Sequence, residues 1–176
     1  MFIAFNTDTF MQFKAFNPNA DPNLISRLFP GTPTAGPVVP GPEGIYVTLD
    51  QWDGFQAERD EIIEEIGTRN VKNFVTITGD IHTFIAGYIR QNFDDATSQP
   101  QGPSEPGINP PPPPDAVGVE FVCGSVTSSN LTELATFGRG RSSISADRED
   151  DSEALQETNN RHFRYLNSDT HGYNIK

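Results

Sequence analysis

With 24 acidic against 12 basic side chains in 176 residues, the chain carries a formal charge of −12, which excludes a basic nucleic-acid clamp; the length suits one ordinary domain or part of a larger one. A single cysteine, Cys123, excludes an internal disulfide framework and any multi-thiolate zinc site. No apolar run reaches the roughly 18 residues of a membrane-spanning helix, no basic leader accompanies the apolar start Met1-Phe-Ile-Ala-Phe, and localisation stays open.

The first sixteen residues alternate loosely, with Phe2, Phe5, Phe10, Phe13 and Phe16 spaced by polar residues, and predict one or two strands. Residues 17 to 44 hold seven prolines and four glycines and read as surface loop, with one helical turn around Asn23 to Phe29. From Asp53 the spacing of Phe55, Arg59, Ile62, Ile63 and Ile66 predicts a helix. Asp53 is placed to cap it with Gln56 completing a capping box, Trp52 to staple it to a sheet, and Gly67 to end it. Val71 to Thr78 and Phe84 to Ile89 then read as strands joined by a polar turn at Gly79-Asp80.

Residues 91 to 116 hold eight of the fifteen prolines and read as a solvated polyproline excursion, which also offers a weak SH3 or WW ligand surface to a protein partner. Val117 to Val122 resumes as a strand running into Cys123, a small buried hydrophobe on this reading. Residues 138 to 158 read as a solvated charged face. His162 to Leu166 with His171 to Tyr173 reads as a closing hairpin.

Chemistry concentrates at Thr78-Gly79-Asp80-Ile81-His82. In an extended segment Asp80 and His82 project from the same side, and a carboxylate with a neutral imidazole suits a hard or borderline metal ion. A turn aspartate beside a polar surface histidine accounts for the same residues without a ligand. One pair cannot complete a metal site, and Asp50, Asp53, Asn130, His162 and His171 are the other candidates, although a helix cap explains Asp53 completely and is the favoured reading of it. Ser125, Thr127, Ser128 and Ser129 lack the Gly-x-Ser-x-Gly elbow of a serine nucleophile.

Five ordered stretches resemble the PhoD-like alkaline phosphatases of the calcineurin-like metallophosphoesterase superfamily. They are Leu49-Asp50-Gln51-Trp52-Asp53-Gly54-Phe55, then Ala57-Glu58-Arg59, then Val75 to His82. Gly118 to Val122 with Ser125 to Ser128, and His162 to Tyr165 with Gly172-Tyr173, complete the set. The resemblance implies an α+β chain, a partial metallophosphoesterase β sandwich flanked by helices, with long Pro-rich loops including an insertion at 98–115. It assigns residues 1–176 to the carboxy-terminal portion of such a domain. It also implies iron and calcium as ions, phosphate monoesters or diesters as substrates, and Asp80 and His82 as metal ligands; Asp53, Asn130 and His162 stay candidates at or beside the site from the reading of the residues alone. The family's upstream Asp-Cys, Gly-Asp-x-x-Tyr and Asp-Asp-His-Glu-like motifs do not occur here, Phe55 replaces its Tyr, and Asn160-Arg161 replaces its Asn-Pro. A non-catalytic remnant or interaction module of the same fold is the alternative expectation.

Overall fold

The computed structural model describes residues 2–5, 8–16, 44–94, 111–130, 133 and 160–173. In chain order the elements are β1 (Phe2–Phe5), β2 (Lys14–Phe16), β3 (Ile45–Tyr46), a 3₁₀ turn (Trp52–Gly54), α1 (Gln56–Thr68), β4 (Phe74–Thr78), β5 (Phe84–Arg90), β6 (Ala116–Val122) and β7 (Phe163–Asn167). Five strands form one mixed sheet in the order β1-β4-β6-β5-β7, and β2 pairs with β3 in a separate antiparallel ribbon. β1, β4 and β6 run parallel, whereas β5 runs antiparallel to both β6 and β7. With one α-helix among the described residues, the class is α+β, as expected.

Thr78 and Ile85 both pair with Val122, so β6 lies between β4 and β5, and the connection from Gly79 to Thr83 crosses the end at which β6 leaves the sheet. Ligands of sheets with parallel strands gather outside such carboxyl ends. The sheet therefore places the Asp80–His82 turn at that end.

The helix departs from its expected ends. Its N-cap is Phe55, without a side-chain cap bond, and Asp53 belongs to the preceding 3₁₀ turn. Arg59, Ile63 and Ile66 face inward, while Phe55 and Ile62 are 59% and 38% exposed. The helix runs past Gly67 and closes with a Schellman pair: Val71 N donates to Ile66 O, Asn70 N donates to Gly67 O, and Asn70 adopts φ 52°. Trp52 packs edge-on against Phe10 with ring centroids 5.1 Å apart.

Residues 8 to 14 are not the continuous strand that the phenylalanine spacing suggests. They form a strap, irregular up to Lys14, in which every residue from Thr9 to Lys14 is buried. Phe10, Met11 and Phe13 join Ile63, Ile66, Phe74, Ile85, Ile89 and Phe163 in the core. The strap meets the sheet closely at Gly87, where a Cβ would lie 2.8 Å from both Met11 Sδ and the His162 carbonyl oxygen.

Two further expectations change at the chain's later elements. β7 pairs with β5, and His171 to Tyr173 lie in no strand; Gly172 N instead donates to Ser125 O at 3.1 Å, so no closing hairpin forms. In the proline run Pro111, Pro112 and Pro114 are exposed, as expected, but the run is tied down where Pro113 is buried, its carbonyl accepts from Ala116 N, and Asp115 pairs with the buried Arg90 at 3.0 Å. Cys123 is half-buried just beyond β6. The helical turn expected at 23–29, most of the 98–115 insertion and the charged stretch 138–158 lie outside the described residues.

Candidate metal site

β4 ends at Thr78, so Asp80 and His82 stand in a turn and not in an extended strand. Both adopt left-handed backbone, with φ 65° and 57°. Two non-glycine residues in that region within three positions is uncommon, and aspartate and histidine are among the side chains that tolerate it. Such backbone persists where its surroundings over-determine it, a condition typical of functional turns.

Asp80 is exposed, and its Oδ2 accepts from Gln51 Nε2 at 2.8 Å. Gln51 is itself 4% exposed, and its Oε1 accepts from Thr9 N at 2.5 Å. His82 is half-buried, with Nδ1 2.7 Å from the carbonyl oxygen of Ser129. A carbonyl only accepts, so Nδ1 carries a proton, which in the neutral ring leaves the lone pair on Nε2. This is the imidazole tautomer that metal-binding histidines adopt when their other nitrogen donates to a backbone carbonyl. The turn thus offers one carboxylate and one imidazole nitrogen, a donor set that fits a hard or borderline cation.

The loop that holds His82 is held in turn. His171 Nε2 donates to Ser128 O at 3.0 Å, and Gly172 N donates to Ser125 O. Asn130, 1% exposed, forms a reciprocal pair with Glu133: its Oδ1 accepts from Glu133 N and its N donates to Glu133 Oε2, the pattern of a capping box. Its Nδ2 donates to Asp169 O. Asn130 therefore lies next to the Ser129 carbonyl and serves the loop.

Asp53 and His162 are engaged elsewhere. Asp53 is 2% exposed, accepts from Arg59 Nη1 at 2.6 Å and from Phe13 N at 2.8 Å. Burial raises its carboxyl above the ordinary value, against the pull of Arg59 and of the Phe13 amide. His162 is fully buried between the rings of Phe93 and Phe163, and its Nε2 donates to Gln12 O at 2.7 Å. Burial pushes its pKa down to about 3, so the ring is neutral. Among the described residues no hydrogen bond or ion pair joins either residue to Asp80 or His82, and no three His, Cys, Asp or Glu side chains gather as a metal cluster.

Glu120 and Gln51 carry structural importance that sequence spacing does not signal. Glu120, at the centre of β6, accepts from Phe10 N, Met11 N and Thr78 Oγ1 at 2.8, 2.6 and 2.7 Å. Burial lifts its pKa to about 6, although those three donors and Arg59 pull the other way. Gln51 falls within the Leu49–Phe55 stretch that carries the resemblance, which is the one signal that could have singled it out.

Comparison with known proteins agrees with this fold. Residues 10–175 match the family described as PhoD-like phosphatase. Alkaline phosphatase D of Bacillus subtilis (strain 168) is 31% identical over 81 residues, which cover 46% of this chain and 11% of that protein. A solved structure titled "Structure of PhoD" superposes with a TM-score of 0.55 at 21% identity, covering 97% of this chain and 22% of the other. The chain thus spans a small part of the length of the relatives it matches.

Proposed function

Because the chain belongs to the PhoD-like phosphatase family, we propose that it serves metal-dependent hydrolysis of phosphate monoesters or diesters. Asp80 and His82 are two of the ligands on this reading, and the other donors come from polypeptide outside the described residues. Iron and calcium are the ions that the family resemblance implies. A bound ion of this kind neutralises charge on the phosphoryl oxygens and lowers the pKa of water. The chain's own residues hold and orient: Ser129 O fixes the His82 tautomer, and Gln51 fixes one oxygen of Asp80 while leaving Oδ1 for a ligand.

The observation that carries the reading is the carbonyl-locked His82 in a left-handed turn beside an exposed carboxylate, across the end of β6. Calorimetric titration of the purified chain with calcium and with iron, alongside Asp80→Ala and His82→Ala, tests it. Ion uptake in the parent that is lost in both variants is expected, with turnover of p-nitrophenyl phosphate or bis-p-nitrophenyl phosphate once the remaining donors are supplied. Uptake unchanged by both substitutions would remove the two residues from the site. Uptake without turnover of either ester would favour the non-catalytic module.

A further inference from the structure

We propose that Gln51 is the positioning residue of the site: its side-chain amide sets the direction of the Asp80 carboxylate. The proposal rests on the phosphatase reading only for what the carboxylate binds. Gln51 is 4% exposed, and both ends of its amide are committed. Thr9 N–H donates to Oε1 at 2.5 Å, so the amide cannot be flipped, and Nε2 necessarily faces Asp80 Oδ2 at 2.8 Å. Thr9 is in turn anchored, because Phe10 N and Met11 N next to it are both held by Glu120 and Thr9 O accepts from Trp52 N.

Asp80 has no comparable constraint of its own. It is exposed in a short turn, and Gln51 is its sole hydrogen-bond partner among the described residues. A buried, pre-oriented donor on one carboxylate oxygen limits rotation of the group and leaves the other oxygen directed at a cation. Hydrogen-bonded supports of this kind set the affinity of ligating carboxylates.

The two bonds of Gln51 can be separated. Gln51→Glu keeps an acceptor for Thr9 N–H but replaces the donor facing Asp80 with an oxygen, opposing two carboxylates. Adding Asp80→Asn supplies a donor from the other side and restores the bond in reverse with the parent's net charge. A melt of Gln51→Glu should fall by about 3 °C or more, and the double variant should regain most of that loss. Calcium titration of Gln51→Leu should show roughly tenfold weaker binding than the parent. No recovery in the double variant, or unaltered calcium affinity in Gln51→Leu, would overturn the positioning role. If the parent takes up no calcium, the metal reading fails, while recovery in the double variant still decides whether Gln51 directs Asp80.

Discussion

Asp53 and Arg59 form an ion pair in which each side chain is 2% exposed, with the Arg59 guanidinium also 5.2 Å over the Phe93 ring. Taking either charge out of water is costly, and their attraction offsets that cost only while both are present. Asp53→Ala therefore strands a buried guanidinium and leaves Phe13 N without its acceptor. The expected loss is about 3–5 kcal/mol in urea unfolding. Replacing both partners by apolar residues should recover much of it, because no uncompensated charge remains. Were Asp53 a ligand instead, its replacement by Asn would weaken ion uptake more than it weakens folding. The sequence misleads here because Asp53 and Gln56 stand at capping-box spacing, and nothing local announces a partner six residues on inside the helix.

The strap from Thr9 to Lys14 is the element that organises the molecule. It is buried, yet much of its backbone has no strand neighbour, so its amides need other partners. Side chains supply them: Gln51 to Thr9 N, Glu120 to Phe10 N and Met11 N, Asp53 to Phe13 N, and Asn160 to Lys14 N. Asn160 Nδ2 also donates to Lys14 O. Glu120→Gln substitutes an N–H for one acceptor and sets two donors against each other. It should cost about 2–3 kcal/mol and accelerate amide exchange across residues 9 to 13, with exchange in α1 little changed. Equal exchange in the strap would show that packing of Phe10, Met11 and Phe13 holds it alone. This element also marks the boundary of what sequence reading could reach. The helix and the three strands β4 to β6 were legible because their apolar periods are local. The strap was not, since its partners lie up to 150 residues away and are chosen by tertiary packing. Asp80 and His82 were legible as a candidate ligand pair, but their left-handed turn was not, because spacing by two reads equally well as strand.

At the scale of the whole molecule, the buried ionisable groups set opposing pH dependences. His162 has its folded pKa lowered from 6.5 to about 3, so between those values the unfolded chain binds the extra proton. Its contribution is complete above pH 6.5 and is lost as the pH falls toward 3. Glu120 has its folded pKa raised from 4.5 to about 6, so in that window the folded chain binds the extra proton. Its contribution is complete below 4.5 and is lost as the pH rises through 6. The two slopes cancel between pH 6 and 4.5, where stability should be nearly flat. Below 4.5 His162 acts without that compensation, and about 2 kcal/mol should be lost by pH 3, reduced by the raised carboxyl of Asp53. Urea unfolding at dilute concentration measures this, since a sequence pI near 4.5 favours association in the same range. His162→Gln retains an N–H for Gln12 O without a titrating ring, so its stability should rise on acidification from pH 6 to 4.5 and the steep loss below 4.5 should shrink. Glu120→Gln should do the reverse, with the decline beginning near pH 6.5. Parallel pH curves for the parent and both variants would mean that these two buried groups do not govern acid stability.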